Sequence, residues 1–286
     1  VKDMNGGLER VQQGCATLKP AEKKVALYVL NHHEKVLMMP IKQLAKKCQT
    51  SEATVIRMCR SLQFRGYREL KLSISASTAK PQDLNERYRD LTADASVGEI
   101  IRVISNNSLR SIEATLSVID EAAIEQAVDV LSKARKILVI GVGASAIVAL
   151  DFEQKCQRIN RWCEALTDSH TQLTSAVHVT SEDVVIAVTY SGETAEIIDT
   201  VNIARNNQAK IISITSYGNN QVQKLADINL YVSALEQSVR SGATASRIAQ
   251  LTIIDILFMS LASKNYSQSI DYLERTREAI QNRFKK

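Results

Sequence analysis

The sequence predicts two domains of different class: an all-α helix-turn-helix domain, followed by an α/β doubly wound domain built on a five-stranded parallel sheet. Three observations carry this prediction. Residues 1–75 hold a net charge of +8 and the rest of the chain −3, within an overall +5. Helical periodicity alone runs through the first part, whereas beyond residue 121 short β-branched runs alternate with helical patterns, as crossover units of a parallel sheet require. One stretch, Asp183-Val-Val-Ile-Ala-Val-Thr-Tyr-Ser-Gly-Glu-Thr-Ala-Glu196, breaks abruptly from an apolar run into hydroxyls and a glycine. With 286 residues, 45% hydrophobic and only 3 prolines, the chain can fill two cores. The expected division is 1–77 for the helical domain, 78–97 for a linker and 98–286 for the larger domain.

In the helical domain Pro20 suits the first turn of a helix, and Val25, Val29 and His32 follow on one face. Pro40 opens the next helix, in which Ile41, Leu44, Ala45 and Cys48 share a face opposite Lys42, Lys46 and Lys47. After a short turn Ser51 is an N-cap for a helix over 52–62. Val55, Cys59 and Leu62 then face inward, and Ala53, Thr54, Arg57, Arg60 and Ser61 face outward. Two short helices, the second with arginines outward, make the layout that sets a helix in the DNA major groove. There Arg57 and Arg60 reach guanine edges or phosphates, Thr54 lies near the helix start, and Lys42, Lys46, Arg65, Arg68 and Lys71 hold phosphates. The plainer alternative is a solvated basic face on a helical bundle.

The segment 73–96 is small and polar, then highly charged, as a linker is. Ile100, Ile101, Ile104, Leu109, Ile112 and Leu116 recur at helical spacing, a face for the domain itself or for a second subunit. A helix over Glu121–Lys133 leads into the sheet. Lys136 begins the first strand, which ends in Gly141-Val-Gly-Ala-Ser145 and a helix to about residue 160. Further strands are expected at 161–166, Val184–Val188, 210–215 and Ile228–Val232, and closing helices at 244–262 and 267–283.

The chemistry gathers where strands end. Thr189, Ser191 and Thr194 place three hydroxyls within six residues, Gly192 permits close backbone approach, and a helix starting near Glu193 or Thr194 adds free N–H groups and a positive dipole end. That combination cradles a phosphate; the alternative is a strand-to-helix turn whose hydroxyls only cap. Ser145 can join the same site. Gly141, Gly143 and Ala146 also satisfy the loose dinucleotide pattern, with Glu164 or Asp168 about twenty residues on, so a nicotinamide nucleotide is a rival ligand. His170 falls at the carboxyl edge of the sheet, as a sugar contact or a helix cap.

The run Ser51-Glu-Ala-Thr-Val-Ile-Arg-Met-Cys-Arg-Ser-Leu-Gln-Phe-Arg-Gly-Tyr-Arg-Glu-Leu-Lys71 resembles the DNA-binding domain of the RpiR/MurR family of bacterial transcription regulators. Its Ser-x-x-Thr-x-x-Arg-x-x-Arg core is present, with Gln63 where such regulators often have glycine. The second half resembles the sugar isomerase (SIS) domain through Gly141-Val-Gly-Ala-Ser145 and Thr189-Tyr-Ser-Gly-Glu-Thr194. The resemblance implies a regulator of carbohydrate genes, a homo-oligomer on double-stranded operator DNA, with a hexose or amino-sugar phosphate as effector. It implies ligand contacts at Gly143, Ser145, His170, Thr189, Ser191, Gly192, Glu193, Thr194 and, from a Ser246-Arg247 pair common in these regulators, Arg247. SIS domains also occur in phosphosugar isomerases, for which Glu153, Glu193, Glu196 and His170 are the available acid–base groups; an attached helix-turn-helix argues for a sensor rather than an enzyme.

No cofactor and no metal are expected. The five cysteines form no CxxC pair and fit reduced thiols, and the longest apolar run, 137–150, is broken by glycine and serine, so a cytoplasmic protein is expected rather than a membrane one.

Overall fold

The computed structural model describes residues 7–78, 95–233 and 243–283. They form two compact units: residues 7–78, 95–118, Ser216–Asn220 and Ser233 in the first, and 119–215, Gln221–Val232 and 243–283 in the second. Most of the expected linker, 78–97, lies outside the described residues.

The first unit is helical: α1 (Gly7–Gly14), α2 (Pro20–Asn31), α3 (His33–Met38), α4 (Ile41–Lys47), α5 (Glu52–Ser61), α6 (Tyr67–Thr78) and α7 (Val97–Val118). Pro20 occupies the first position of α2, where its missing N–H is no loss. Val25 and Val29 of α2, Leu44 and Ala45 of α4, and Val55, Met58 and Cys59 of α5 meet Phe64, Leu70 and Ile74 in one core. His32 does not continue the Val25–Val29 face. It is exposed at the end of α2, its ring 4.7 Å from that of Tyr28. In α7 the pattern is inverted: Asn107, Ser111 and Thr115 are buried, whereas Ile101, Leu109 and Leu116 are each more than half exposed.

The second unit alternates helix and strand: α8 (Glu121–Lys133), β1 (Ile137–Ile140), α9 (Ala144–Arg158), β2 (Cys163–Leu166), α10 (Ser169–Ala176), β3 (Val184–Val188), α11 (Ala195–Asn206), β4 (Lys210–Ser216), α12 (Gln221–Leu225), β5 (Ile228–Val232), α13 (Thr244–Lys264) and α14 (Tyr266–Arg283). The five strands run in the order β2-β1-β3-β4-β5. Ile140 stands beside Leu166 on one side and Ala187 on the other, and Val188 beside Ile214. β3 is central and every residue in it is buried, which is why its sequence is a continuous apolar run. Just before it, Asp183 accepts from Arg135 Nε at 3.0 Å and Nη2 at 2.7 Å, and from the Thr180 N–H at 2.8 Å.

One sequence expectation is corrected here. The second strand starts at Cys163 rather than Arg161, whose guanidinium instead donates to the carbonyls of Leu131 and Ala134. By length and composition α13 is apolar enough to cross a membrane. Half of that apolar stretch is buried, with Ala249, Ile253, Ile254 and Leu257 fully enclosed, as a core helix requires. All five cysteines are buried free thiols, and burial pushes Cys59 up to about 12.

Candidate functional site

Each unit carries a candidate surface. In the first, α4 and α5 are joined by a turn in which Gln49 takes φ +53°, the conformation glycine ordinarily supplies. Ser51 caps α5, its Oγ accepting the Thr54 N–H at 3.2 Å. Arg57 and Arg60 are exposed on the outer face of α5. Arg57 is nevertheless aimed: its Nη2 donates to Thr54 Oγ1 at 3.0 Å, and its Nε lies 3.7 Å from the carboxylate of Glu22. Thr54 corrects an expectation. It is only 5% exposed, and its hydroxyl, engaged by Ser51 and Arg57, supports the face rather than projecting from it.

Glu22, buried at 5% exposure on α2, was missed because a lone acidic residue in a first helical turn reads as an ordinary dipole partner. It receives the Ser61 hydroxyl and the Arg57 guanidinium. Lys42 and Lys46 on α4, and Arg65 beyond α5, are exposed; Lys71 is half-buried, its ammonium 5.6 Å over the Tyr67 ring. Gln63, after α5, has φ +59°, again a conformation suited to glycine, and its carbonyl accepts from Arg10 at 2.9 Å.

In the second unit the chain winds outward in both directions from the β1/β3 pair, so the crevice at their carboxyl ends is the topological switch point of the sheet. Two loops leave that point side by side. The first, 141–145, is a turn that needs its glycines: a Cβ on Gly141 would fall 2.7 Å from the Ser145 carbonyl oxygen, and Gly143 has φ +58°. Ser145, in the first turn of α9, is 9% exposed. The second loop, 189–194, precedes α11. Thr189 is 3% exposed, and its Oγ1 is 3.0 Å from Thr194 Oγ1. Thr194 stands at the N-cap of α11, yet its hydroxyl makes no cap bond, so capping does not account for it. Ser191 is exposed and its Oγ accepts the Glu193 N–H at 3.2 Å, and Gly192 has φ +66°. Glu193 turns its carboxylate to the Gln221 N–H at the start of α12, 3.0 Å away, while the Gly192 carbonyl accepts from Val222.

His170 is exposed in the first turn of α10, at the carboxyl edge beside β2. It does not cap that helix. Asp168 does, accepting the Thr171 N–H at 3.0 Å, and this bond with the Thr171 hydroxyl holds its carboxyl below the ordinary range. Of the two acids weighed as a dinucleotide ribose partner, Asp168 thus caps α10 through Oδ1, just beyond β2, and Glu164 sits inside β2. Arg247 lies half-buried in the first turn of α13.

Two glutamines that sequence reasoning passed over hold the glycine turn. Gln172 is fully buried and its Nε2 donates to the carbonyls of Gly141 at 3.0 Å and Leu166 at 2.7 Å, tying the ends of β1 and β2. Gln250, 2% exposed on α13, sets its amide 3.4–3.5 Å from Ser145 Oγ. Neither belongs to a recognisable motif; a polar residue in an otherwise apolar helix face is the only signal. Among the described residues no three His, Cys, Asp or Glu side chains gather as a metal site would need.

Comparison with known proteins bears on both units. A helix-turn-helix domain model of the rpiR family matches residues 5–81, and a SIS domain model matches 130–260. An HTH-type transcriptional regulator of Caldanaerobacter subterraneus subsp. tengcongensis is 40% identical over 97% of this chain and 98% of its own length. The chain belongs to the RpiR family of helix-turn-helix transcriptional regulators. Within that family, HexR of Escherichia coli is 30% identical over 98% of this chain and 96% of its own. The solved structure of Vibrio vulnificus NanR complexed with ManNAc-6P is 27% identical, covers 96% of this chain and 98% of that one, and superposes with a TM-score of 0.61. The first surface is thus the helix-turn-helix of an RpiR regulator, and the switch-point crevice lies in its SIS domain.

Proposed function

We propose that this regulator binds operator DNA in the cytoplasm as a homo-oligomer, through α5, and that a phosphorylated sugar in the SIS crevice sets its operator affinity. The observation that carries the reading is that loops 141–145 and 189–194 leave the adjacent carboxyl ends of β1 and β3, which supports bringing the hydroxyls of Ser145, Thr189, Ser191 and Thr194 and the N-terminal turns of α9 and α11 to one phosphate. Hydroxyls and free backbone N–H groups at helix N-termini suit a phosphate dianion without any lysine. Gly143 and Gly192 let the backbone close on it, His170 and Arg247 take the sugar, and Glu193 holds the loop. The relative complexed with ManNAc-6P, an amino-sugar 6-phosphate, supports a ligand of that class. The outward apolar stripe of α7 supports a second subunit, which paired operator half-sites require.

A regulator is favoured over an isomerase because two of the four candidate acid–base groups are committed elsewhere. Glu193 holds the Gln221 N–H, and Glu153 holds the Ala165 N–H at 3.0 Å. The effector acts only so far as it binds one arrangement of the oligomer better than another.

The test is thermal unfolding against a panel of hexose and amino-sugar 6-phosphates, with the unphosphorylated sugars and NAD alongside. One phosphosugar at a hundredfold excess over its dissociation constant is expected to stabilise the fold by about 2.7 kcal/mol. Its free sugar is expected to do nothing, and Ser191→Ala to abolish the shift while leaving operator affinity without ligand unchanged. A shift with NAD alone would replace the proposed ligand by a dinucleotide.

A further inference from the structure

The glycine turn 141–145 is gripped by two buried amides that differ in one respect. Gln172 faces two backbone carbonyls, which only accept, so its nitrogen must point at them and its orientation is settled. Gln250 faces a hydroxyl, which both donates and accepts. Its Oε1 lies 3.4 Å and its Nε2 3.5 Å from Ser145 Oγ, so either end of the amide can engage the serine.

We propose that Gln250 is a positioning residue: by donating its Nε2–H to Ser145 Oγ it turns the serine O–H toward the crevice, where it meets the effector phosphate. The inference deepens the sugar-phosphate reading and rests on it. Ser145 has one hydrogen to give. A phosphate dianion offers acceptors only, so it is bound by Ser145 when that hydrogen points at it, and this requires the other partner of the hydroxyl to be a donor. With the amide reversed, the hydrogen is spent on Gln250 Oε1, and Ser145 presents lone pairs to the phosphate. Both side chains are more than nine-tenths buried, so water does not stand in for the missing donor at no cost. Gln250 lies one turn beyond Arg247 on α13, so the two side chains leave neighbouring positions of one helix.

The experiment measures calorimetric affinities of the full-length chain for inorganic phosphate, glucose 6-phosphate, glucosamine 6-phosphate and N-acetylmannosamine 6-phosphate. It compares wild type, Ser145→Ala, Gln250→Leu, Gln250→Glu and the Ser145→Ala/Gln250→Leu double variant. Unfolding midpoints without ligand and operator binding report that each variant is folded. Gln250→Leu is expected to weaken the tightest phosphosugar by roughly tenfold and Ser145→Ala by about the same, with the double variant no weaker than Ser145→Ala alone. Gln250→Glu, nearly isosteric but accepting only, is expected to lose more than Gln250→Leu. A merely structural glutamine would lower the unfolding midpoint and act equally with or without Ser145. Unchanged affinity in folded Gln250→Leu, or additive losses in the double variant, would overturn the inference while leaving the phosphate reading intact. No binding of any probe by wild type would overturn the reading itself, and the inference with it.

Discussion

At the scale of single residues, Arg57 and Arg60 differ in how they are held. Arg57 is pre-aimed by Thr54 and by the buried carboxylate of Glu22, so it has less rotamer freedom left to lose in the DNA contact proposed for it. Arg57→Ala and Arg60→Ala are each expected to cost about 1–3 kcal/mol of operator affinity in a gel-shift titration, with the phosphosugar-induced rise in unfolding midpoint preserved. Asp183, buried just before the central strand, is held by Arg135 and Thr180. Burial raises its carboxyl, but the Arg135 guanidinium and the Thr180 N–H outweigh that and hold it below the ordinary carboxylate range. A group depressed in the fold contributes stability that is fully present above its unfolded value, about 4, and is lost as pH falls through its lower folded value. Asp183→Asn is therefore expected to cost about 2 kcal/mol in urea unfolding at neutral pH, discounted because Arg135 is half exposed, and to show a shallower loss of stability below pH 4 than wild type.

At the scale of elements, the turns after α4 and α5 each place a glutamine at positive φ. An L-residue there is strained by about 1 kcal/mol, and a glycine is not. Gln49→Gly is expected to raise stability by roughly 0.5–1 kcal/mol in chemical unfolding without altering operator affinity, because Gln49 is exposed. The same comparison shows what sequence can carry. Strands such as β3, and helices such as α8, were legible because burial on both faces or on one imprints a period on the residue types. α3 has six residues, too few to display a period, and the start of β2 was overextended because Arg161 and Trp162 precede it without a turn signal. The hydroxyl loop was legible from its composition. Glu22, Gln172 and Gln250 were not, because their role comes from partners 39, 31 and 105 positions away. Thr54 was misread for a related reason: helical periodicity assigns a face, and a residue at its border is buried or exposed according to what packs beside it.

At the scale of the whole molecule, the uneven charge has a direct thermodynamic reading. The surplus of +8 lies in residues 1–75 and the deficit of −3 in the remainder, so DNA attraction is concentrated on one part while the rest does not compete for the polyanion. Operator affinity is expected to fall linearly with the logarithm of salt concentration, and Lys42→Ala or Lys46→Ala to reduce the magnitude of that slope by about one each, uniformly across operator variants. The hydroxyl loop has a different consequence. Glu193 grips the Gln221 N–H and the Gly192 carbonyl takes the Val222 N–H, so the loop after β3 and the first turn of α12 are bolted together across 28 positions of sequence. Whatever draws that loop inward must pull α12 with it. If the proposed phosphate draws the loop inward, those two bonds carry the pull to α12, and the wall of the crevice works as a crank.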